Sequence, residues 1–275
     1  MRKVFKKRVA ITGGSGLLGS SFCKKYRNNF KILKCPHRVE NFNKINRWIK
    51  KNDFTYFVHF AAITNNRYKS ETVRLVNVNA SINLLDILQK EKKNFKFFLF
   101  ISSSHVYGTS KYRVKETSKR KPVTIYGKSK KIVEDYIMKN RSKFKYKIGI
   151  ARVFNFTGPK QRKGYFVPDM YEKIRRNKKI TDINKFRDFI HIDDVLNSIN
   201  LILRNKFSQP INISSGKKIN LIKVCKILNE NTFKRVLLID KKIGKDLFGD
   251  NKKLKNLGLK KFKKISSIIK SFLNA

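Results

Sequence analysis

Two tyrosines stand four residues ahead of a lysine: Tyr107 before Lys111 in "YGTSK" and Tyr126 before Lys130 in "YGKSK". Such a pair can exchange a proton with a substrate oxygen. A phenol with pKa about 10 is a poor base near neutrality, and a neighbouring ammonium favours its ionised form. Spacing selects neither copy, because 49 lysines and ten tyrosines in 275 residues give roughly two such pairs by accident. Context separates them. After Lys111 comes "YRVKETSKRKP", which has no helical periodicity and stops at a proline, whereas Ile132, Val133, Tyr136 and Ile137 after Tyr126 line one helical face. Only a helix reliably sets residues i and i+4 on the same side. Tyr126 and Lys130 are the candidate acid–base pair, and Tyr107 is expected to be structural.

The elements around them alternate. Strands are predicted at 8–11 ("RVAI"), 30–33 ("FKIL"), 56–62 ("YFVHFAA"), 95–104 ("FKFFLFISSS") and 147–154 ("KIGIARVF"). Helices are predicted from about Gly16 to Tyr26, around "INRWIKK", over 78–90 and from about Gly127 to Lys139. Strands alternating with helices argue for an α/β protein whose parallel sheet is covered on both faces. Pro159 and Pro168 punctuate the chain after the last of these strands, which sets a lobe boundary near residue 155, and the chain closes on the amphipathic basic helix "KKISSIIKSFLN".

"TGGSGLLGS" (12–20) sits directly after the first strand and opens the first helix. Gly14, Gly16 and Gly19 fit the dinucleotide spacing, and Gly13, Gly16 and Gly19 fit its wider variant. Glycine lets the backbone turn with positive φ and approach a pyrophosphate, and the helix N-terminus offers unpaired N–H groups to it. The acid that usually comes about twenty residues later to bind the ribose is missing before residue 40. Lys34, His37 or Arg38 could instead meet a 2′-phosphate, so NADP(H) is favoured over NAD(H).

With 40% apolar and 12% aromatic residues the chain can bury a core. Against 18 acidic residues stand 66 basic ones, a net charge of +48. The basic residues spread along every segment, so the excess is read as compositional and no nucleic-acid partner is expected; phosphorylated ligands should still bind salt-sensitively. Cys23, Cys35 and Cys225 have neither metal nor disulfide spacing, which suits a reducing compartment. Only "VAIT" precedes the glycines in "MRKVFKKRVAITGG", too short for a signal peptide, and no run approaches a membrane span. The expectation is a cytoplasmic protein with no membrane association and no metal.

Taken in order, "TGGSGLLGS", "HFAAIT" (59–64), "NVNASINLLD" (77–86), "FISSSHVYG" (100–108), "YGKSK", "ARVFNFTGP" (151–159), "RDFIHIDDV" (187–195) and "INISSG" (211–216) resemble the extended short-chain dehydrogenase/reductase family of nucleotide-sugar epimerases, dehydratases and reductases. The resemblance implies a Rossmann-type doubly wound parallel sheet with a smaller C-terminal α/β substrate-binding lobe. Residues 1–155 would form the NAD(P)-binding domain, with 187–206 returning to it, and 156–275 mainly the substrate lobe. Gly13, Gly14, Ser15, Gly16, Leu17, Leu18, Gly19, Arg38, Phe60, Ala61, Ala62, Asn77, Ser102 and Val153 would line the cofactor together with Tyr126 and Lys130. Family spacing selects Ser103 as the hydroxyl that orients the sugar oxygen.

Family dehydratases carry an Asp–Glu pair directly after that serine. Ser104 and His105 stand there instead, beside the substrate, which disfavours dehydration. Asn155 and Arg187 match positions that bind the nucleotide diphosphate, while Asp188, His191 and Asp194 are read as holding the lobes together. The family's Arg-containing segment near the C-terminus is replaced by "KKIGKDLFGD" (241–250). The short chain, the compressed link before "HFAA" and residues 154–174 resemble GDP-4-keto-6-deoxymannose reductases. The implied reaction is reduction of a nucleotide-linked 4-keto-6-deoxyhexose; 4-epimerisation with retained NAD is the alternative, and a catalytically idle RNA-binding Rossmann protein the third reading. The family commonly forms homodimers through the helices that here carry "INLLDIL" and "IVEDYIM".

Overall fold

The computed structural model describes residues 7–64, 67–232 and 244–274. The first six residues of the basic opening and residues 241–243 of the substituted C-terminal segment lie outside them. The first half alternates β1 (Lys7–Thr12), α1 (Leu17–Tyr26), β2 (Phe30–Lys34), α2 (Phe42–Lys51), β3 (Tyr56–His59), α3 (Ser70–Arg74), α4 (Ala80–Glu91), β4 (Phe97–Ser103), α5 (Ile125–Lys139) and β5 (Lys147–Val153). The second half adds β6 (Asn155–Thr157), α6 (Phe166–Arg175), β7 (Phe186–Arg187), β8 (Phe189–His191), α7 (Ile192–Asn205), β9 (Pro210–Ile213), β10 (Ile219–Asn220), α8 (Leu221–Glu230), α9 (Lys252–Asn256) and α10 (Ile265–Leu273).

Six strands form one parallel sheet in the order β2-β1-β3-β4-β5-β9. Val9 pairs with Ile32 on one side and Tyr56 on the other, and Val58 pairs with Leu99. All seven residues of β4 and all four of β3 are buried, as a strand covered on both faces requires. On one face Ala10, Phe57, Phe98, Phe100, Ile148 and Ile150 pack against Ile45 and Ile49 of α2, Leu84 and Leu88 of α4, and Val133 and Ile137 of α5. Each Ile, Leu, Val or Phe side chain among them contributes about 1.5–3 kcal/mol of burial. The order reverses at β1, which has β2 on one flank and β3 on the other; open α/β sheets form their ligand crevice at such a switch point. Between β2 and β3 there is a single helix and no further strand.

Contacts divide the chain into two units. The first comprises Met1–Val106, Pro122–Arg152 and Ile199–Ile211, and the second Tyr107–Lys121, Val153–Ser198 and Asn212–Ala275. The second unit has its own core, in which Val167, Met170 and Ile174 of α6 meet Phe189, Leu221, Val224, Leu228 and Ile269. It also carries a parallel pair β6–β8 and an antiparallel pair β7–β10. Among the described residues no helix is long and apolar enough to cross a membrane.

Among the boundaries that differ from the sequence expectation, three bear on the site. β3 stops at His59, because the backbone of Phe60 and Ala61 turns to pass against Gly13. The helix expected from Gly127 starts at Ile125, since the Thr124 hydroxyl caps it by accepting the Gly127 N–H at 3.0 Å. The helix expected at 78 is the end of a longer run from Ser70, interrupted by a π-helical turn at Leu75–Asn79.

Candidate active site

The turn after β1 shows which glycines the fold itself demands. Gly13 has φ of 68°, and a Cβ there would lie 2.6 Å from the Ala61 nitrogen. A Cβ on Gly19 would fall 2.3 Å from the Gly13 carbonyl oxygen. Gly16 would meet only that oxygen, at 3.4 Å, so nothing within the protein excludes a side chain there. Gly16 begins α1 without a side-chain cap, and the first turn holds no acid. The N-terminus of α1, with Ser15, Leu17 and Leu18, therefore presents open backbone donors and the positive end of the helix dipole. This is a cradle suited to a dinucleotide pyrophosphate.

At the end of β2, Arg38 donates from Nε to Glu40 Oε1 at 2.6 Å, and both line a cavity of about 720 Å³ with His37 and Asn41. Lys34 closes β2. Glu40 lies just past the window in which the sequence shows no acid.

Tyr126 occupies the first turn of α5 and is half-buried. Lys130 lies one turn on with only 1% of its surface exposed. Its Nζ donates to the Ile101 carbonyl at 2.8 Å and stands 5.8 Å from the Tyr126 ring centre and 4.6 Å from that of Phe100. Burial pushes the Lys130 ammonium down to about 7, and the charge of Glu134 pulls the other way. Ser103 ends β4, and its Oγ accepts the His105 N–H at 3.2 Å. Ser104 and His105 sit in the 3₁₀ turn just after it; the His105 ring meets the Tyr126 ring edge-on at 5.7 Å. The first unit thus brings Ser103, His105, Tyr126 and Lys130 to one place. Tyr107 belongs to the second unit, where its buried hydroxyl donates to Asn212 Oδ1 at 2.7 Å, and Lys111 stands outside any helix.

A buried polar chain that sequence reasoning missed underlies this group. The Ser81 hydroxyl donates to the Asn77 carbonyl at 2.7 Å, so it must accept from His59 Nε2 at 2.9 Å. His59 Nδ1 is then the acceptor for the Thr12 hydroxyl at 2.6 Å. Burial and the charge of Lys130 push His59 down to about 3, so the ring is neutral as this pattern needs. Asn77, in the π-helical turn, accepts the Ile63 N–H at 2.8 Å and donates to the Ile63 carbonyl and Ser129 Oγ. Ser129 in turn donates to the Tyr126 carbonyl at 2.7 Å. Asn77 therefore clips the loop carrying Phe60, Ala61 and Ala62 to the helix carrying Tyr126.

Ser102 is likewise occupied: it donates to Glu134, which pairs with Arg152 inside the unit. A lone arginine in the apolar strand "KIGIARVF" was the readable signal for that pair. Val153 ends the same strand, buried.

In the second unit, half-buried Asn155 starts β6 opposite Phe189. Arg187 Nη1 donates to the Phe186 and Lys245 carbonyls, at 2.8 and 2.6 Å. The other N–H groups of its guanidinium make no hydrogen bond among the described residues. Asp188 is fully buried and accepts from Ser215 N and Oγ, Gly216 N and Gly249 N. His191 pairs with Ser271 at 2.8 Å, and Asp194 accepts the Lys263 N–H, so both hold the C-terminal segment. Among the described residues no three His, Cys, Asp or Glu side chains gather as a metal site.

A dTDP-D-glucose 4,6-dehydratase of Dictyostelium discoideum is 24% identical over 81% of this chain, which spans 62% of that protein's length. A putative UDP-glucose 4-epimerase of Methanocaldococcus jannaschii is 27% identical over 92% of both chains. A GDP-6-deoxy-D-mannose reductase of Pseudomonas aeruginosa is 25% identical over 80% of this chain and 79% of its own. Among solved structures, RMD from Pseudomonas aeruginosa complexed with NADPH superposes with a TM-score of 0.87 at 21% identity, covering 98% of both chains. The Thermus thermophilus UDP-glucose 4-epimerase complex with NAD gives 0.86 at 18%, covering 97% of this chain and 98% of the other. These two likenesses establish the shared fold. The family model for NAD dependent epimerases and dehydratases matches residues 9–214, a span that holds the glycine turn, Ser103, Tyr126 and Lys130. On that match the chain belongs to the NAD dependent epimerase/dehydratase family, nucleotide-sugar enzymes of the short-chain dehydrogenase/reductase type.

Proposed function

We propose that this chain reduces a nucleoside-diphosphate 4-keto-6-deoxyhexose at C4, with Tyr126 as the proton donor. The observation that carries the reading is half-buried Tyr126 on the first turn of α5 with Lys130 buried one turn below it. The backbone of Gly13, Gly14, Ser15 and Gly16 and the open N-terminus of α1 would hold the cofactor pyrophosphate; Phe60, Ala61, Ala62 and Val153 would flank the nucleotide. Bound NAD(P)H supplies the hydride that C4 takes up. The accompanying proton passes from the Tyr126 hydroxyl to the ketone oxygen, giving a secondary alcohol, while Ser103 holds that oxygen and Lys130 favours the tyrosinate left behind. Asn155 and the Arg187 N–H groups that make no hydrogen bond among the described residues would take the substrate diphosphate, to which a guanidinium is well matched.

A second reading, 4-epimerisation with retained NAD, is supported by the 27% identity over 92% of both chains with the putative UDP-glucose 4-epimerase. Purified protein given NADPH or NADH and a panel of nucleotide sugars, monitored by nicotinamide absorbance and sugar NMR, separates the two. Stoichiometric cofactor oxidation with a 4-keto sugar supports reduction; isomer exchange without oxidation supports epimerisation and overturns the first reading.

For the cofactor, Arg38 with Lys34 and His37 favours NADP(H), although the Arg38–Glu40 ion pair offsets part of that cationic field. A lower KM for NADH than for NADPH would reverse the preference. The expected homodimer would form through α4 and α5, where Ile132 is exposed; a monomer in sedimentation at micromolar concentration would remove it.

A further inference from the structure

We infer that Glu134, held by Arg152 and Ser102, is a positioning residue that locks the register of α5 on β4 and so sets where Tyr126 stands relative to Ser103. The Glu134 and Arg152 side chains are 0% and 1% exposed. Arg152 Nη2 donates to Glu134 Oε2 at 2.7 Å, and its Nε reaches Oε1 and Oε2 at 3.0 and 3.1 Å. The Ser102 hydroxyl donates to Oε1 at 2.6 Å. Stability does not call for such a group: apolar residues of similar volume in place of a buried ion pair are often neutral or stabilising. The surroundings would accept them, since Val133, Ile137 and Ile150 are packed in one apolar cluster.

What the pair adds is direction. Successive residues of β4 grip successive turns of α5: the Ile101 carbonyl holds Lys130 Nζ, and the Ser102 hydroxyl holds Glu134. The next residue on the strand is Ser103. Apolar contacts alone tolerate sliding, whereas these bonds have one register. A slip of one residue would move the helix about 1.5 Å and turn it about 100°, and a misplacement of about 1 Å can cost about a hundredfold in rate.

The inference deepens the proposed reaction and rests on it for the role of Tyr126. Its test is the double variant Glu134→Leu/Arg152→Met, with Ser102→Ala as the milder change should the double variant fail to fold. Urea unfolding first establishes that each is folded. The double variant is expected to lose about ten- to a hundredfold in kcat, with cofactor KM within about threefold of wild type and a displaced kcat–pH profile. Ser102→Ala should show a smaller loss of the same kind. Independently of any substrate, the titration of Tyr126, taken as the phenolate absorbance of wild type minus that of Tyr126→Phe, should move to higher pH in these variants. A folded variant with an unchanged Tyr126 titration overturns the positioning role whatever the reaction proves to be. A wild-type chain inactive on every keto sugar overturns the reaction while the titration still decides the lock.

Discussion

Lys130 places an amine in the interior, and its titration has a consequence for stability. In the unfolded chain the amine keeps its proton up to about 10.4; in the folded chain burial lowers that point to about 7. Between those values the unfolded state binds more protons, so stability rises with pH across the window and is lost as pH falls through it. Unfolding free energies from chemical denaturation should therefore climb from pH 7 to 10 in the wild type relative to Lys130→Met, and parallel curves would contradict the buried, depressed amine. Tyr126→Phe should lose about 10²–10⁴ in turnover while still binding cofactor, measured by steady-state kinetics and cofactor titration. Tyr107→Phe should keep its chemistry and instead lose about 1–3 kcal/mol, because Asn212 Oδ1 would be left as a buried acceptor without its donor. Reversal of the two kinetic outcomes would exchange the roles of the twin motifs.

Elements, rather than single residues, explain which substitutions the fold tolerates. Gly13→Ala should destabilise by about 1–3 kcal/mol from its left-handed backbone alone, with the clash against Ala61 added. Gly16→Ala should melt within a few degrees of wild type yet bind dinucleotide more weakly, because the space it fills lies toward the uncapped end of α1. Thermal melts and cofactor titrations of the pair distinguish a folding glycine from a ligand glycine. In the second unit, Asp188→Asn should be as damaging as Asp188→Ala. Both carboxylate oxygens accept N–H groups, and an amide would turn its own donor toward Gly216 and Gly249, or toward Ser215 if flipped. A near-native melting temperature for the asparagine variant would refute this account. The boundaries of α1 and β4 were legible from hydrophobic periodicity to within about two residues, whereas α2 starts three residues before the expected "INRWIKK". The π-helical turn was not: Val73, Val76, Leu84 and Leu88 fit a helical pattern, and no residue type announces the extra residue that turns Asn77 toward Ile63 and Ser129.

At the scale of the whole molecule the charge matters most. A net +48 spread along the chain should raise the local concentration of phosphorylated ligands and fade with salt. The KM for a nucleotide sugar should thus rise severalfold between low and physiological ionic strength while kcat changes little; a salt-independent KM would show that local contacts alone hold the diphosphate. The two units each bury an apolar core of their own; the first carries the glycine turn, Tyr126 and Lys130, and the second Asn155 and Arg187.

Alternating apolar runs, the glycine turn and the helical face after Tyr126 were enough, on sequence alone, to establish the α/β class and to put Tyr126 and Lys130 on a helix that Lys111 does not share. Those features depend on local spacing, which a single chain displays. The Glu134–Arg152–Ser102 lock, the neutral His59 bridge from Thr12 to Ser81 and the Arg38–Glu40 pair came only from the tertiary structure. The first two join residues 18 to 47 positions apart, and even the third depends on how the loop after β2 bends. Whether a charged or polar side chain is buried and which partner satisfies it are properties of three-dimensional proximity, and no periodicity in the sequence encodes them.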